Sequence, residues 1–163
     1  MQRITHDLII ETLKVMTRVE RTLATFYGLC PDGTAEAHAF WHRLEQEELR
    51  HAQHLQRMAD IIAERPDRFE SNRTFSVAAI QTFLTYVESL IQRVRSNEIP
   101  PADQHRLLCL ARDVEQSVLE SKAGEIVKTT DEEFLSLSRT IVAETITHKG
   151  AIIGRLAVTP KSS

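Results

Sequence analysis

Apolar residues return every three or four positions over residues 5–29, 34–65, 76–98, 101–128 and 131–157, and no segment sustains the alternate-residue pattern of a strand. The pattern predicts five helices and no sheet. Prolines at 31, 66, 100, 101 and 160 mark where the helices must stop, because proline removes a backbone donor and clashes with the preceding turn. Gly28 and Gly33 bracket a turn around Cys30-Pro31-Asp32, and Thr130 with Glu133 has the form of a capping box opening the last helix. Four of the segments are long enough for a bundle, roughly 38 to 48 Å at the helical rise. The segment 76–98 is shorter and filled with Ile80, Phe83, Leu84, Val87, Leu90, Ile91 and Val94. It is expected to cross over between the second and third long helices. The fold class expected is all-α: a four-helix bundle with one additional shorter helix over residues 1–158, followed by a short tail, 159–163.

Polar residues interrupt the apolar stripes at places where solvent should not reach. In the second helix Phe40, Leu44, Glu48, His51, Leu55, Met58 and Ile62 form one continuous face. Glu48 and His51 sit in its middle, where an unpaired carboxylate would cost several kcal/mol to desolvate. The first helix places Glu20 on the face made by Ile9, Leu13, Met16, Leu23 and Tyr27, with Glu11 half a rotation away toward solvent. The 101–128 segment places Glu115 among Leu108, Ala111, Val118 and Leu119. The last helix runs Phe134, Leu137, Ile141, then either Glu144 or Thr145, then His148, Ile152 and Leu156. A single inward Glu or His reads as a satisfied core residue. Four helices carrying such residues near their middles read as a common centre. Carboxylate oxygens mixed with imidazole nitrogens, without thiolate, suit iron or manganese better than structural zinc.

Composition removes several alternatives. The 163 residues, 42% hydrophobic and 26% charged, describe one ordinary folded domain. A net charge of −3 without any Lys/Arg block argues against nucleic acid as a partner. No apolar run is long enough for a membrane helix and no signal-peptide pattern opens the chain, so a cytoplasmic location is expected. Cys30 and Cys109 are too few and too far apart for a disulfide framework or a Cys-x-x-Cys metal site, and are expected to be reduced thiols. His6, His38, His42, His54 and His105 are read as surface imidazoles, Glu47 as solvated, and Trp41 as filling a bundle seam or dimer face.

Glu20 with Tyr27 seven residues on, then Glu48 and His51 within FWHRLEQEELRHAQHL, then Glu115 within ARDVEQSVLESK, resembles the ferritin-like di-iron carboxylate superfamily and its rubrerythrin-like branch. That pattern takes one Glu from each of two helices and a Glu-x-x-His from each of the other two. The resemblance implies Glu20 and Glu115 as single-Glu ligands, Glu48 and His51 as the first pair and His148 as the histidine of the second. Tyr27 would lie beside the metals. The chain departs from the pattern at Thr145, where the last pair should have its Glu; Glu144, one residue earlier, is the alternative ligand. It also lacks a rubredoxin module.

The implied cofactor is iron, two ions by resemblance, with one ion or manganese as the alternative. The implied activity is oxidoreductase or peroxidase chemistry on dioxygen, peroxide or ferrous iron, fed by a separate electron donor, in a homodimer. The rival from another class is a degenerate scaffold holding one metal or none and acting as a structural or interaction protein.

Overall fold

The computed structural model describes residues 2–72, 76–121 and 125–161. It is all-helical apart from one two-residue strand pair. The helices are α1 (Gln2–Leu29), α2 (Ala35–Glu64), α3 (Val77–Arg95), α4 (Gln104–Ser121) and α5 (Glu132–Val158).

Local chemistry accounts for the boundaries. Pro31 ends α1, and Asp32 then accepts from both the backbone and the hydroxyl of Thr34, whose own side chain caps α2 at Ala37 N. Gly33 completes this turn at φ +93°, a conformation that a Cβ would penalise. Ser76 caps α3. Asn97 takes the left-handed conformation past its end (φ 61°), and Ile99 N closes back on Arg93 O.

Three expectations need correction. The segment 101–128 is helical only from Gln104 to Ser121. Its start is delayed by Pro100-Pro101, with Asp103 accepting from Arg106 N. Toward its end Ile126 and Val127 are buried beside Phe69, and β2 (Val127–Lys128) pairs antiparallel with β1 (Glu70–Ser71), so the expectation of no sheet fails at this one place. Residues 122–124 and Leu119's side chain lie outside what is described. The cap of α5 is Asp131, which accepts from Phe134 N, and not Thr130. Asp131 wins because Arg65 and Arg68 also hold its carboxylate, at 2.8 and 3.1 Å.

α1 and α2 form an antiparallel hairpin, as do α4 and α5, and α5 lies antiparallel to α2, with Glu133 against Arg57 and Arg65 at one end and Arg155 near Glu36 at the other. α3 runs along α1, its Ile80 and Phe83 near Met16 and Val19. It spans the stretch between the two hairpins, as its sequence suggested.

The apolar core is in two parts. One gathers Leu23, Phe26, Tyr27, Trp41, Leu44, Leu90, Leu107 and Val114. The other gathers Ile9, Leu13, Leu55, Met58, Ile62, Phe69 and Phe134. Between them in the sequence of α1, α2 and α5 lie Glu20, the Glu48–His51 pair and His148, and Glu115 follows the α4 residues of the first part. Trp41, not Phe40, is the fully buried aromatic at the start of the α2 stripe. The Trp41 indole N–H donates to Gln104 Oε1 at 2.8 Å, which gives its polar edge a partner inside a seam and answers the choice between seam and dimer face. Phe40 is half-buried and lies under the Arg155 guanidinium.

Candidate metal centre

The helical period carries Glu20, Glu48, His51, Glu115 and His148 to the interior, and each is at most 3% exposed. Glu11 faces solvent. Glu48 is the hub. Its Oε2 lies 3.1 Å from His51 Nδ1 and its Oε1 lies 2.9 Å from His148 Nδ1. The two imidazoles stack, with ring centroids 5.3 Å apart and planes 19° from parallel, so both Nδ1 atoms face one carboxylate. Glu48 also interacts electrostatically with Glu20 and with Glu115. His148 Nδ1 is 3.9 Å from Glu115 Oε1. Glu48, His51, Glu115 and His148 are thus joined by direct contacts, and Glu20 feels their charges.

Tyr27 closes the cluster on the α1 side by donating its hydroxyl to Glu115 Oε1 at 2.5 Å. Burial, then the neighbouring Glu115 charge, raises the phenol well above its ordinary range, so it acts as donor. Burial is also the largest influence on the three acids. It raises Glu20 and Glu115 well above the ordinary carboxylate range, where the Glu48 charge adds to it, and Glu48 up to about 7, where the Glu20 and Glu115 carboxyl groups work against it and the Glu47 and Glu144 charges add to it. Among the described residues no Lys or Arg pairs with Glu20, Glu48 or Glu115. Three desolvated acids share two imidazoles. Such a cluster lacks positive charge, and a multivalent cation would supply it.

The hydrogen bonding points the same way. Glu20 Oε2, Glu48 Oε1 and both nitrogens of His148 are buried without a hydrogen-bond partner, although the His148 nitrogens are close to carboxylate oxygens. The donors come near one another without aiming at one another, the arrangement expected of groups directed at a shared point. One ligand atom from each of Glu48, His51 and His148 lies within 4.8 Å of the other two. This buried Glu/His/His group could hold a metal ion.

The outer nitrogens of the imidazoles carry the residues that sequence reasoning placed wrongly or left open. Glu144 Oε2 lies 2.8 Å from His51 Nε2, and its Oε1 is 3.3 Å from Arg50. Burial opposes its ionisation, but the His51 hydrogen bond and the Arg50 charge outweigh that and hold it below the usual carboxylate range. An ionised Glu144 accepts, so His51 carries its proton on Nε2 and turns a bare Nδ1 lone pair toward Glu48 when neutral. Glu144 is therefore outside the cluster rather than among its inner acids. Glu47 is not simply solvated: its Oε2 is 2.5 Å from His148 Nε2, and its side chain is only 24% exposed. The signal that could have found it is the adjacent position to Glu48, on the edge of the stripe that meets α5. Thr145 does face inward, but its hydroxyl donates back to Ile141 O at 2.8 Å.

An apolar void of about 20 Å³, lined by Met16, Val19, Ile80, Phe83 and Val118, reaches Glu20 between α1, α3 and α4. It has room for one molecule the size of water. A surface groove of about 670 Å³ between α1 and α3 includes none of the cluster residues. The remaining expectations are minor. His6 is half-buried and bonds Phe69 O, and Cys30 and Cys109 are free thiols. Among the described residues no helix is long and apolar enough to cross a membrane. Comparison of the chain with protein-family models, curated proteins and solved structures found no match.

Proposed function

We propose that the chain is a ferritin-like four-helix protein whose buried cluster binds iron through Glu20, Glu48, His51, Glu115 and His148. The observation that carries this reading is the pair of stacked imidazoles with both Nδ1 atoms on Glu48, flanked by two further buried acids without a cation. The donor set of hard oxygens and imidazole nitrogens fits iron, with manganese next. Iron held there supplies electron-transfer chemistry toward dioxygen, peroxide or further ferrous iron.

The residues of the chain have separable tasks. Glu48 presents an oxygen to each side of the cluster. Glu144 fixes the tautomer of His51 from outside, and Glu47 stands in the corresponding place beside His148. Tyr27 holds Glu115 in place and keeps its proton. The two apolar cores exclude water above and below, and the small void beside Glu20 limits an approaching molecule on that side to one of about water's size. Electrons for turnover come from a separate donor.

Thr145 favours a second reading of the same centre, in which only one metal position is complete. Its hydroxyl is turned to Ile141 and Glu144 is turned away, so the last helix brings His148 without an inner carboxylate. Anaerobic loading with ferrous iron, followed by metal analysis per chain, tests both readings. Close to one iron is expected for the wild type and a value nearer two for Thr145→Glu. Absence of iron from both proteins would overturn the proposal in favour of a metal-free scaffold.

A further inference from the structure

The exposed side of α2 carries a second set of metal-ligating side chains, in the stretch of the helix that precedes the buried Glu48. His38, His42 and Glu45 follow at spacings of four and three, which puts them on one helical stripe with neighbouring Cβ atoms about 5–6 Å apart. The His38 and His42 rings stack, with centroids 5.6 Å apart and planes 17° from parallel. His42 Nδ1 lies 3.1 Å from Glu45 Oε2. Two donors bound at zinc distances in a tetrahedral site stand about 3.3 Å apart. The His42–Glu45 pair therefore already has close to the span that one ion requires; His38, stacked on His42 from the preceding turn, would have to rotate to bring its nitrogen to the same ion, because the three residues do not yet hold three donor atoms within 4.8 Å of one another.

Gly28 lies under the same place. It is the last-but-one residue of α1, at the turn into α2. A Cβ added there would stand 2.9 Å from Glu45 Oε1, whereas Gly33, Gly150 and Gly154 have nothing within 4 Å. The absent side chain is thus the seat of the Glu45 carboxylate. Among the described residues neither His38 nor Glu45 is held by a lysine or arginine, so no cation of the chain occupies the place.

We propose that His38, His42 and Glu45 bind a divalent zinc ion at the protein surface, with Gly28 providing the room for Glu45. Two imidazoles and one carboxylate match zinc and its borderline neighbours better than magnesium or calcium, which prefer all-oxygen sites. The His42 and Glu45 side chains are 54% and 30% exposed, so the ion keeps water in its remaining positions and exchanges readily. The site differs from the buried cluster in having one acid instead of three, and the inference does not depend on what that cluster binds.

Zinc titration calorimetry on the full chain tests the proposal. The wild type is expected to bind one more zinc equivalent than the double variant His38→Gln/His42→Gln, and Glu48→Gln is expected to retain that equivalent. Gly28→Ala should weaken it several-fold while the helical circular-dichroism signal stays unchanged. The imidazole resonances of His38 and His42 should shift together at substoichiometric zinc. Identical isotherms for the wild type and the double variant would overturn the site, and an unaltered isotherm for Gly28→Ala would overturn the part assigned to Glu45.

Discussion

Glu144 meets His51 from the side facing away from Glu48, with 2.8 Å between its Oε2 and Nε2. It orients an inner residue and contributes no inner oxygen. Replacing such an outer partner typically costs 10- to 100-fold in metal affinity while leaving the ligands in place. Glu144→Ala is therefore expected to weaken iron binding by about that factor without lowering the saturating stoichiometry, as read by ferrous titration against a competing chelator. A drop in stoichiometry would mean that Glu144 is itself a ligand.

Thr145→Glu is the complementary change. Position 145 is 2% exposed and faces the cluster, so a carboxylate there enters the space the threonine leaves. The expected result is a rise in iron per chain. In the metal-free protein it adds a fourth buried acid, and stability should fall by about 1–3 kcal/mol in urea unfolding. A variant that gains no metal would show that the geometry, not the missing ligand, limits the second position.

Tyr27→Phe removes the hydroxyl that donates to Glu115 and leaves the packing of the ring intact. The ring itself is fully buried. Leaving a buried carboxyl oxygen without its donor costs about 1–3 kcal/mol. Loss of that order is expected for the metal-free protein, with a smaller loss once iron binds Glu115. Equal losses with and without iron would separate Tyr27 from the metal centre.

Gln104 joins three strands of chain inside the upper core: it accepts from Trp41 Nε1 and donates to Cys30 O at 2.6 Å and to Pro101 O at 2.7 Å. Gln104→Ala leaves the buried Trp41 N–H and Cys30 O unpaired. A destabilisation of about 2–4 kcal/mol is expected. Trp41 is the chain's only tryptophan, so its emission reports the transition directly and should shift red in the native variant. Unchanged emission and midpoint would refute the role given to Gln104.

Asp131 supplies the pH dependence. Burial works against its ionisation, but the Phe134 N–H and the Arg65 and Arg68 guanidinium groups outweigh it and hold the carboxyl below the usual range. Its folded value is thus below the unfolded value of about 3.9. The stabilisation it brings is fully present above that pH and is lost as pH falls through the folded value. Asp131→Asn should cost about 1–2 kcal/mol near pH 6, with the two unfolding curves converging as the solution is acidified through the folded value. A constant difference across that range would assign the effect to shape rather than charge.

The 3.6-residue period by itself determined the five helices and the inward direction of Glu20, Glu48, His51, Glu115 and His148, because a residue in the middle of an apolar stripe has only one way to face. Positions at the edge of a stripe are different. Neighbouring residues on a helix are about 100° apart, so Glu47, Glu144 and the Phe40/Trp41 pair turn inward or outward according to which helix packs beside them. Only the antiparallel approach of α5 to α2 brought Glu47 to His148 and Glu144 to His51. The same holds where partners are remote in the chain. Arg65 and Arg68 selected Asp131 as the cap over Thr130, and Glu70 and Ser71 drew Val127 and Lys128 into a strand pair that the local pattern had assigned to a helix. Local periodicity registers the cost of exposing apolar surface, whereas a charge or an edge hydrogen bond is satisfied by whatever group the tertiary fold sets opposite it.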